Sequence, residues 1–191
     1  MAERIIKVVI ASPSDVVSER KSLLDKLQTY FTRFKYEDLC NARIIVDGWE
    51  NVPSQSGYTQ DIINSTLIKK ADIVIALFRH KLGNPTIDIK TGKDRSPSGT
   101  AEELRYALSQ NKKNRKPLAM LYYYENPPSL NIFSFAAKAE WKKLQKFKEE
   151  TLVEIRHKLY DDNEDKLLRT VCDDICENIR NHKLLNSDPA K

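Results

Sequence analysis

No stretch of this 191-residue sequence is long and apolar enough to suggest a transmembrane helix. The longest apolar runs, Ile73 to Phe78 and Leu118 to Tyr124, fall far short of the roughly 20 residues such a helix needs. The opening Met1-Ala2-Glu3-Arg4 lacks the apolar core and cleavage site of a secretion signal, so a cytoplasmic protein without a membrane partner is expected. Cysteine is scarce: Cys40, Cys172 and Cys176 make an odd count, and the last two lie four apart in a helical pattern with no histidine nearby. Buried thiols are expected rather than a zinc site, and no metal is expected. Neither G-x-G-x-x-G nor G-x-x-x-x-G-K-[ST] occurs, which excludes a standard dinucleotide fingerprint and P-loop ATP hydrolysis. Histidine is also sparse. His80 falls in a loop and His157 and His182 in a C-terminal helical region, an arrangement that disfavours a Ser-His-acid hydrolase set.

What is present has the balance of a water-soluble globule, with 40% hydrophobic and 31% charged residues. The length suits one domain with an appended element. The net charge of +5 is mild because 27 acidic residues nearly match 32 basic ones. Its densest cluster, Lys112, Lys113, Arg115 and Lys116, is read as a solvated loop without interleaved aromatics, and a nucleic-acid partner is not expected. No internal repeat or low-complexity tract is visible.

Ile5, Ile6, Val8, Val9 and Ile10 form a near-continuous β-branched run, as expected of a parallel strand covered on both faces. After Ser12-Pro13-Ser14-Asp15, apolar positions from Val16 to Phe34 recur at helical spacing, predicting a long amphipathic helix that starts at Ser14 or Asp15. Ala42 to Val46 reads as a second strand ended by an Asp47-Gly48 turn, Tyr58 to Lys70 as a helix, Asp72 to Phe78 as the strongest strand and Pro117 to Tyr124 as another. Between these last two lie an unusually long loop, Arg79 to Pro97, and a helix from Ser98 to about Gln110. This alternation predicts an open parallel sheet with helices on both faces over residues 1–135. Residues 136–185 read as a two-helix C-terminal extension, with closing the domain, forming a dimer surface and leading to another domain as its open roles, and 186–191 as a frayed tail.

In such a sheet, ligands bind where the chain leaves the carboxyl ends of the strands. That rule selects Ser12 to Asp15, Asp47 to Glu50, Phe78 to Gly83, and Ser98 to Glu103. At the first, small hydroxyls and free N–H groups at a helix start favour an anion, although Ser14 or Asp15 would cap the helix in any case. Trp49 at a strand end suits the border of a base-stacking pocket or a core rim, and Arg79 beside His80 suits a phosphate contact or an exposed loop pair. The sharpest constellation is Ser98-Gly99-Thr100 with Glu102 and Glu103: Gly99 allows close backbone approach, and a carboxylate on the first helical turn suits stabilisation of an oxocarbenium-like state in N-glycosidic cleavage. A capping box with solvated glutamates accounts for the same residues without a substrate.

Taken together, Ile10-Ala11-Ser12-Pro13-Ser14-Asp15-Val16 with Glu19-Arg20, Trp49-Glu50, the helix with Gln60, Ile63 and Asn64, Asp72-Ile73-Val74-Ile75, Leu82-Gly83-Asn84-Pro85-Thr86 and Ser98-Gly99-Thr100-Ala101-Glu102-Glu103 resemble, in order and spacing over residues 5 to 125, the TIR-like domains of the DUF4062 group. The resemblance implies a flavodoxin-like fold, a place in defence or signalling proteins and fusion to other domains. Gly99-Thr100-Ala101-x-Glu103 also resembles nucleoside 2-deoxyribosyltransferases, in which the glutamate matching Glu103 attacks the sugar. NAD-cleaving TIR domains likewise use a helix glutamate at the cleft. The resemblance therefore implies an NAD glycohydrolase, with NAD as substrate rather than cofactor and Glu103 as the catalytic carboxylate. Ser12, Ser14, Asp15, Trp49, Phe78, Arg79, Gly83, Ser98, Gly99 and Thr100 would hold the nucleotide, and a homo-oligomer or a sensor protein would be the partner. A non-catalytic assembly module and a deoxyribosyl-transferring enzyme are the alternatives.

Overall fold

The computed structural model describes residues 4–52, 58–88, 90–129 and 134–181. His182 and the tail expected over 186–191 lie outside the described residues. Five strands form one parallel sheet: β1 (Ile5–Ala11), β2 (Arg43–Asp47), β3 (Ile73–Phe78), β6 (Leu118–Tyr124) and β7 (His157–Tyr160), in the order β2-β1-β3-β6-β7. This is the flavodoxin-like order, in which the chain winds outward one way from β1 to β2 and then crosses back to β3.

Strand alternation divides the core between the two faces of the sheet, as the period of two requires. Ile6, Val8 and Ile10 of β1 and Ile73, Ile75 and Leu77 of β3 point to one face, where they meet α1 (Val17–Arg33) and α6 (Glu164–Asn181). Val9 and Ala11, with Val74, Ala76 and Phe78, point to the other, which is covered by a 3₁₀ turn (Ile68–Lys70), α4 (Gly99–Asn114) and α5 (Phe135–Thr151). Double coverage is why β1 and β3 read as continuous apolar runs. Two shorter helices, α2 (Tyr36–Cys40) and α3 (Thr59–Thr66), complete the shell. All three cysteines are free, buried thiols.

The region from residue 136 departs from a two-helix extension. Between its helices runs β7, which pairs in parallel with β6 as the fifth strand of the sheet. Leu167, Leu168, Val171, Cys172, Ile175, Cys176 and Ile179 of α6 are all buried in the core shared with α1 and β1. The helix therefore closes one face of the domain. The edge strand escaped notice because its four residues, His-Lys-Leu-Tyr, bury only Tyr160 fully and carry no apolar run. It also puts His157 on a strand.

Two smaller departures bear on the site. The loop from Arg79 to Pro97 contains an antiparallel hairpin, β4 (Thr86–Ile87) with β5 (Asp94–Ser96). The basic cluster near residue 112 is partly helical: Lys112 and Lys113 lie in the last turn of α4, and Lys116 is paired with Asp72 at 2.7 Å. No helix among the described residues is long and apolar enough to cross a membrane.

Candidate functional site

The carboxyl ends of β1, β2 and β3 and the amino end of α4 converge on one edge of the sheet. Helix α1 begins at Val17, later than the sequence suggested, and no side chain caps it. Asp15 instead joins two loops. Its Oδ2 accepts hydrogen bonds from the backbone N–H groups of His80 and Lys81, each at 2.9 Å, tying the β1 loop to the end of β3. Gly83 sits in that junction with φ +102°, a conformation that glycine adopts freely. A Cβ added there would lie 3.3 Å from Cβ of Ser98 and 3.4 Å from Cβ of Pro13. Gly83 thus lets the β3 loop pass between the β1 loop and the start of α4.

At that start, Ser98 is buried and its hydroxyl accepts the Ala101 N–H at 3.0 Å, so Ser98 is the N-cap. No glutamate reciprocates, and the two that follow are not solvated. Glu102 is 8% and Glu103 7% exposed. Glu102 is held by Asn64 Nδ2 at 3.0 Å, by the Thr86 hydroxyl at 2.6 Å and by Arg95 Nη2 at 2.5 Å. It fastens α3 and the β4–β5 hairpin to α4. Arg95 also pairs with Asp61, and Tyr58 Oη accepts the Ile87 N–H, so the hairpin is clamped at several points.

Glu103, rotated by about 100° from its neighbour, receives a 3.2 Å hydrogen bond from Gln60 Nε2. Gly99 makes room for Gln60: a Cβ at position 99 would stand 3.0 Å from its Oε1. Burial raises the Glu103 carboxyl to about 7; the Gln60 bond and the charge of Arg20 oppose that shift, while Glu102 and Glu50 add to it. Two adjacent glutamates thus have different environments, one tied into a polar clamp and the other balanced between protonation states near neutrality.

A cleft of about 640 Å³ opens beside this edge, lined by Ser12, Ser14, Lys21, Trp49, Glu50 and Asn51, among others. Its floor is an ion pair between residues of two separate motifs. Arg20 of α1, its side chain 9% exposed, donates through Nε to Glu50 Oε1 at 2.6 Å and through Nη2 to Oε2 at 2.7 Å. Its Nη1 donates to the Ile10 carbonyl at 2.8 Å and reaches the Ser12 hydroxyl at 3.4 Å. The bidentate hydrogen bonds from Arg20 hold the Glu50 carboxyl below its ordinary range. Trp49, 52% exposed on a 3₁₀ turn, stands at the rim with the Arg20 guanidinium 5.6 Å from its ring centre. Glu103 is not part of the cleft wall, although the pair is near enough to bias its ionisation.

The structure therefore gathers Ser12, Ser14 and Trp49 at the cleft, with Gly83, Ser98, Gly99, Thr100 and Glu103 around the start of α4. It separates two others. Phe78 is fully buried and packs against Tyr123 and Phe147, because its place in the β3 alternation points it into the core rather than the cleft. Arg79 turns the other way, paired with Glu19 and Asp162 and lying 3.8 Å from the centre of the Tyr124 ring. The structure thus places Phe78 in the core and engages the Arg79 guanidinium with two carboxylates. His80, beside it, packs edge-on against Tyr124 and Trp141 and contacts the Asn126 carbonyl.

A five-stranded parallel sheet in this order, with helices on both faces, defines a flavodoxin-like α/β domain. The chain belongs to the family described as a domain of unknown function, DUF4062, whose model matches residues 7–173. That match takes in β7 and most of α6, in agreement with their place in the core. No curated protein matches the chain.

Proposed function

We propose that this domain hydrolyses an N-glycosidic bond of NAD or a related nucleotide, with Glu103 as the working carboxylate. The observation that carries this reading is the contrast between Glu102 and Glu103. A carboxylate anchored by a cation and two neutral donors serves the fold, whereas a buried one with a neutral amide partner and an ionisation near 7 is suited to respond to a developing positive charge. As the C1′–N bond breaks, its electron pair leaves with the pyridine nitrogen, the sugar takes on oxocarbenium character that an adjacent carboxylate stabilises, and water then adds at C1′ and gives up one proton to solvent. Nicotinamide leaves as a neutral molecule without needing a proton. A cleft of about 640 Å³ falls within the range of small-molecule sites, and the exposed Trp49 face supplies a surface for a planar ring.

The burial of Glu103 behind Gln60 favours a second reading, an assembly module in which the carboxylate is never reached by substrate. On the catalytic reading, the Gln60 amide is displaced when the nucleotide enters, and the domain works as a defence or signalling effector whose activity depends on self-association or a sensor partner. The test is release of nicotinamide from NAD, with deoxynucleosides assayed in parallel, for the wild type, Glu103→Gln and Glu102→Gln. The catalytic reading expects Glu103→Gln to lose release by about a hundredfold or more, while Glu102→Gln retains part of it. No turnover by concentrated wild type, or equal turnover by wild type and Glu103→Gln, would favour the assembly module.

A further inference from the structure

We propose that Glu50 is the specificity residue of the cleft: its carboxylate, held at both oxygens by Arg20, accepts a hydrogen bond from the 2′-hydroxyl of the reacting ribose, so the site accepts ribosyl and rejects 2′-deoxyribosyl nucleotides. This assignment rests on the reading of the cleft as a nucleotide site and disfavours deoxyribosyl transfer.

The pair is built rather than incidental. Arg20 is buried, carries two further contacts to the end of β1, and so fixes Glu50 from the floor of the cleft. Gly48 is part of the construction. A Cβ there would stand 2.4 Å from Glu50 Oε2 and 2.8 Å from Arg20 Nη2, so a side chain at position 48 would push the pair out of place. Upstream, the Asp47 carboxylate accepts the Gly48 N–H and the Asn51 side-chain amide, each at 2.8 Å, fixing the turn that carries Trp49 and Glu50.

A carboxylate has about four lone-pair positions, and the bidentate arginine occupies one on each oxygen. The two that remain diverge, and the residue's own backbone N–H also contacts the carboxylate, so the exposed side offers a place for a single hydroxyl rather than for a diol bridging both oxygens. The Glu50 side chain is 38% exposed, while Arg20 is almost wholly covered. The acceptor of the pair, not the donor, is thus the group presented to a ligand, which favours hydroxyls over phosphate at this position. Removal of one hydroxyl from the sugar would leave a charged acceptor unmatched in a partly desolvated site, the situation in which hydrogen-bonding sites discriminate most strongly.

The experiment crosses Glu50→Gln with removal of the 2′-hydroxyl. Nicotinamide release is measured from NAD and from its analogue lacking the 2′-hydroxyl on the nicotinamide ribose. Binding of ADP-ribose and its 2′-deoxy counterpart is followed by Trp49 fluorescence in a Trp141→Phe background, which leaves one indole. In the wild type, ADP-ribose should bind about ten- to a hundredfold more tightly than the deoxy sugar. Glu50→Gln should remove most of that preference by weakening the ribose ligand alone, and the preference of release for the ribose substrate should shrink in step. Glu50→Asp, which keeps the charge, should retain the preference, and thermal melting checks that each variant is folded. Equal weakening of both sugars by Glu50→Gln, or a wild type indifferent to the 2′-hydroxyl, overturns the assignment. If binding discriminates between the sugars but no nicotinamide is released, the hydrolase reading falls while the role of Glu50 stands.

Discussion

Replacing Glu103 with glutamine should make the protein more stable, and increasingly so as the pH rises. The carboxyl goes from an ordinary value of 4.5 in the unfolded chain to about 7 in the fold, chiefly because burial disfavours its charge. Between those values the native state holds a proton that the unfolded state has released, so wild-type stability falls as pH rises through the window. One pKa unit corresponds to about 1.4 kcal/mol, which makes the full penalty about 3 kcal/mol and the part developed between pH 5 and pH 8 about 2.5 kcal/mol. Glutamine is nearly isosteric, has no charge to bury and can still pair with Gln60. Urea denaturation of wild type and Glu103→Gln at pH 5, 6, 7 and 8 reads the difference directly, and titrations elsewhere in the chain cancel in the comparison. The stability gap should open steadily in favour of the variant. A gap that stays constant with pH would show that Glu103 is solvated in the native protein, and its special reactivity would lose its physical basis.

The architecture is open to sharper tests. Glu102→Ala removes one partner from Asn64, Thr86 and Arg95 together, so it should cost about 3 kcal/mol and speed limited proteolysis between β4 and β5. Gly83→Ala forces a non-glycine residue into a positive-φ turn with tight neighbours on both sides, which should cost about 1–3 kcal/mol in denaturation experiments. Arg20→Ala strips Glu50 of its bidentate partner and leaves the Ile10 carbonyl without its side-chain donor. It should destabilise the fold by about 2–4 kcal/mol and abolish ribose discrimination in the fluorescence assay.

The sheet was legible because double coverage writes itself into sequence as unbroken β-branched runs, and β1 and β3 carry the clearest of these. A short edge strand carries no such signature, which is why β7 hid between two helices. At the site, the position of the start of α4 at the carboxyl edge could be inferred from alternation alone, and the family-like order of motifs singled out Glu103. The division of labour between Glu102 and Glu103 could not be read that way, because it depends on Asn64, Thr86 and Arg95 arriving from other elements. Arg20 and Glu50 each fall in a motif of the family-like order but stand 30 positions apart; only the fold makes them a pair. Arg79 shows the converse case. Its place at a strand end suggested an anion contact, yet two carboxylates brought in from α1 and the β7 loop had already claimed it.

The most direct test of the central claim is the pH dependence of kcat/KM for nicotinamide release by the wild type. If the ionised Glu103 carboxylate does the work, the rate should climb about tenfold per pH unit below a bend near 7 and level off above it. The residual activity of Glu103→Gln should lack that bend. A wild-type profile that is flat across about pH 5.5 to 8.5, or a bend that persists in Glu103→Gln, would contradict the assignment of Glu103 as the working carboxylate.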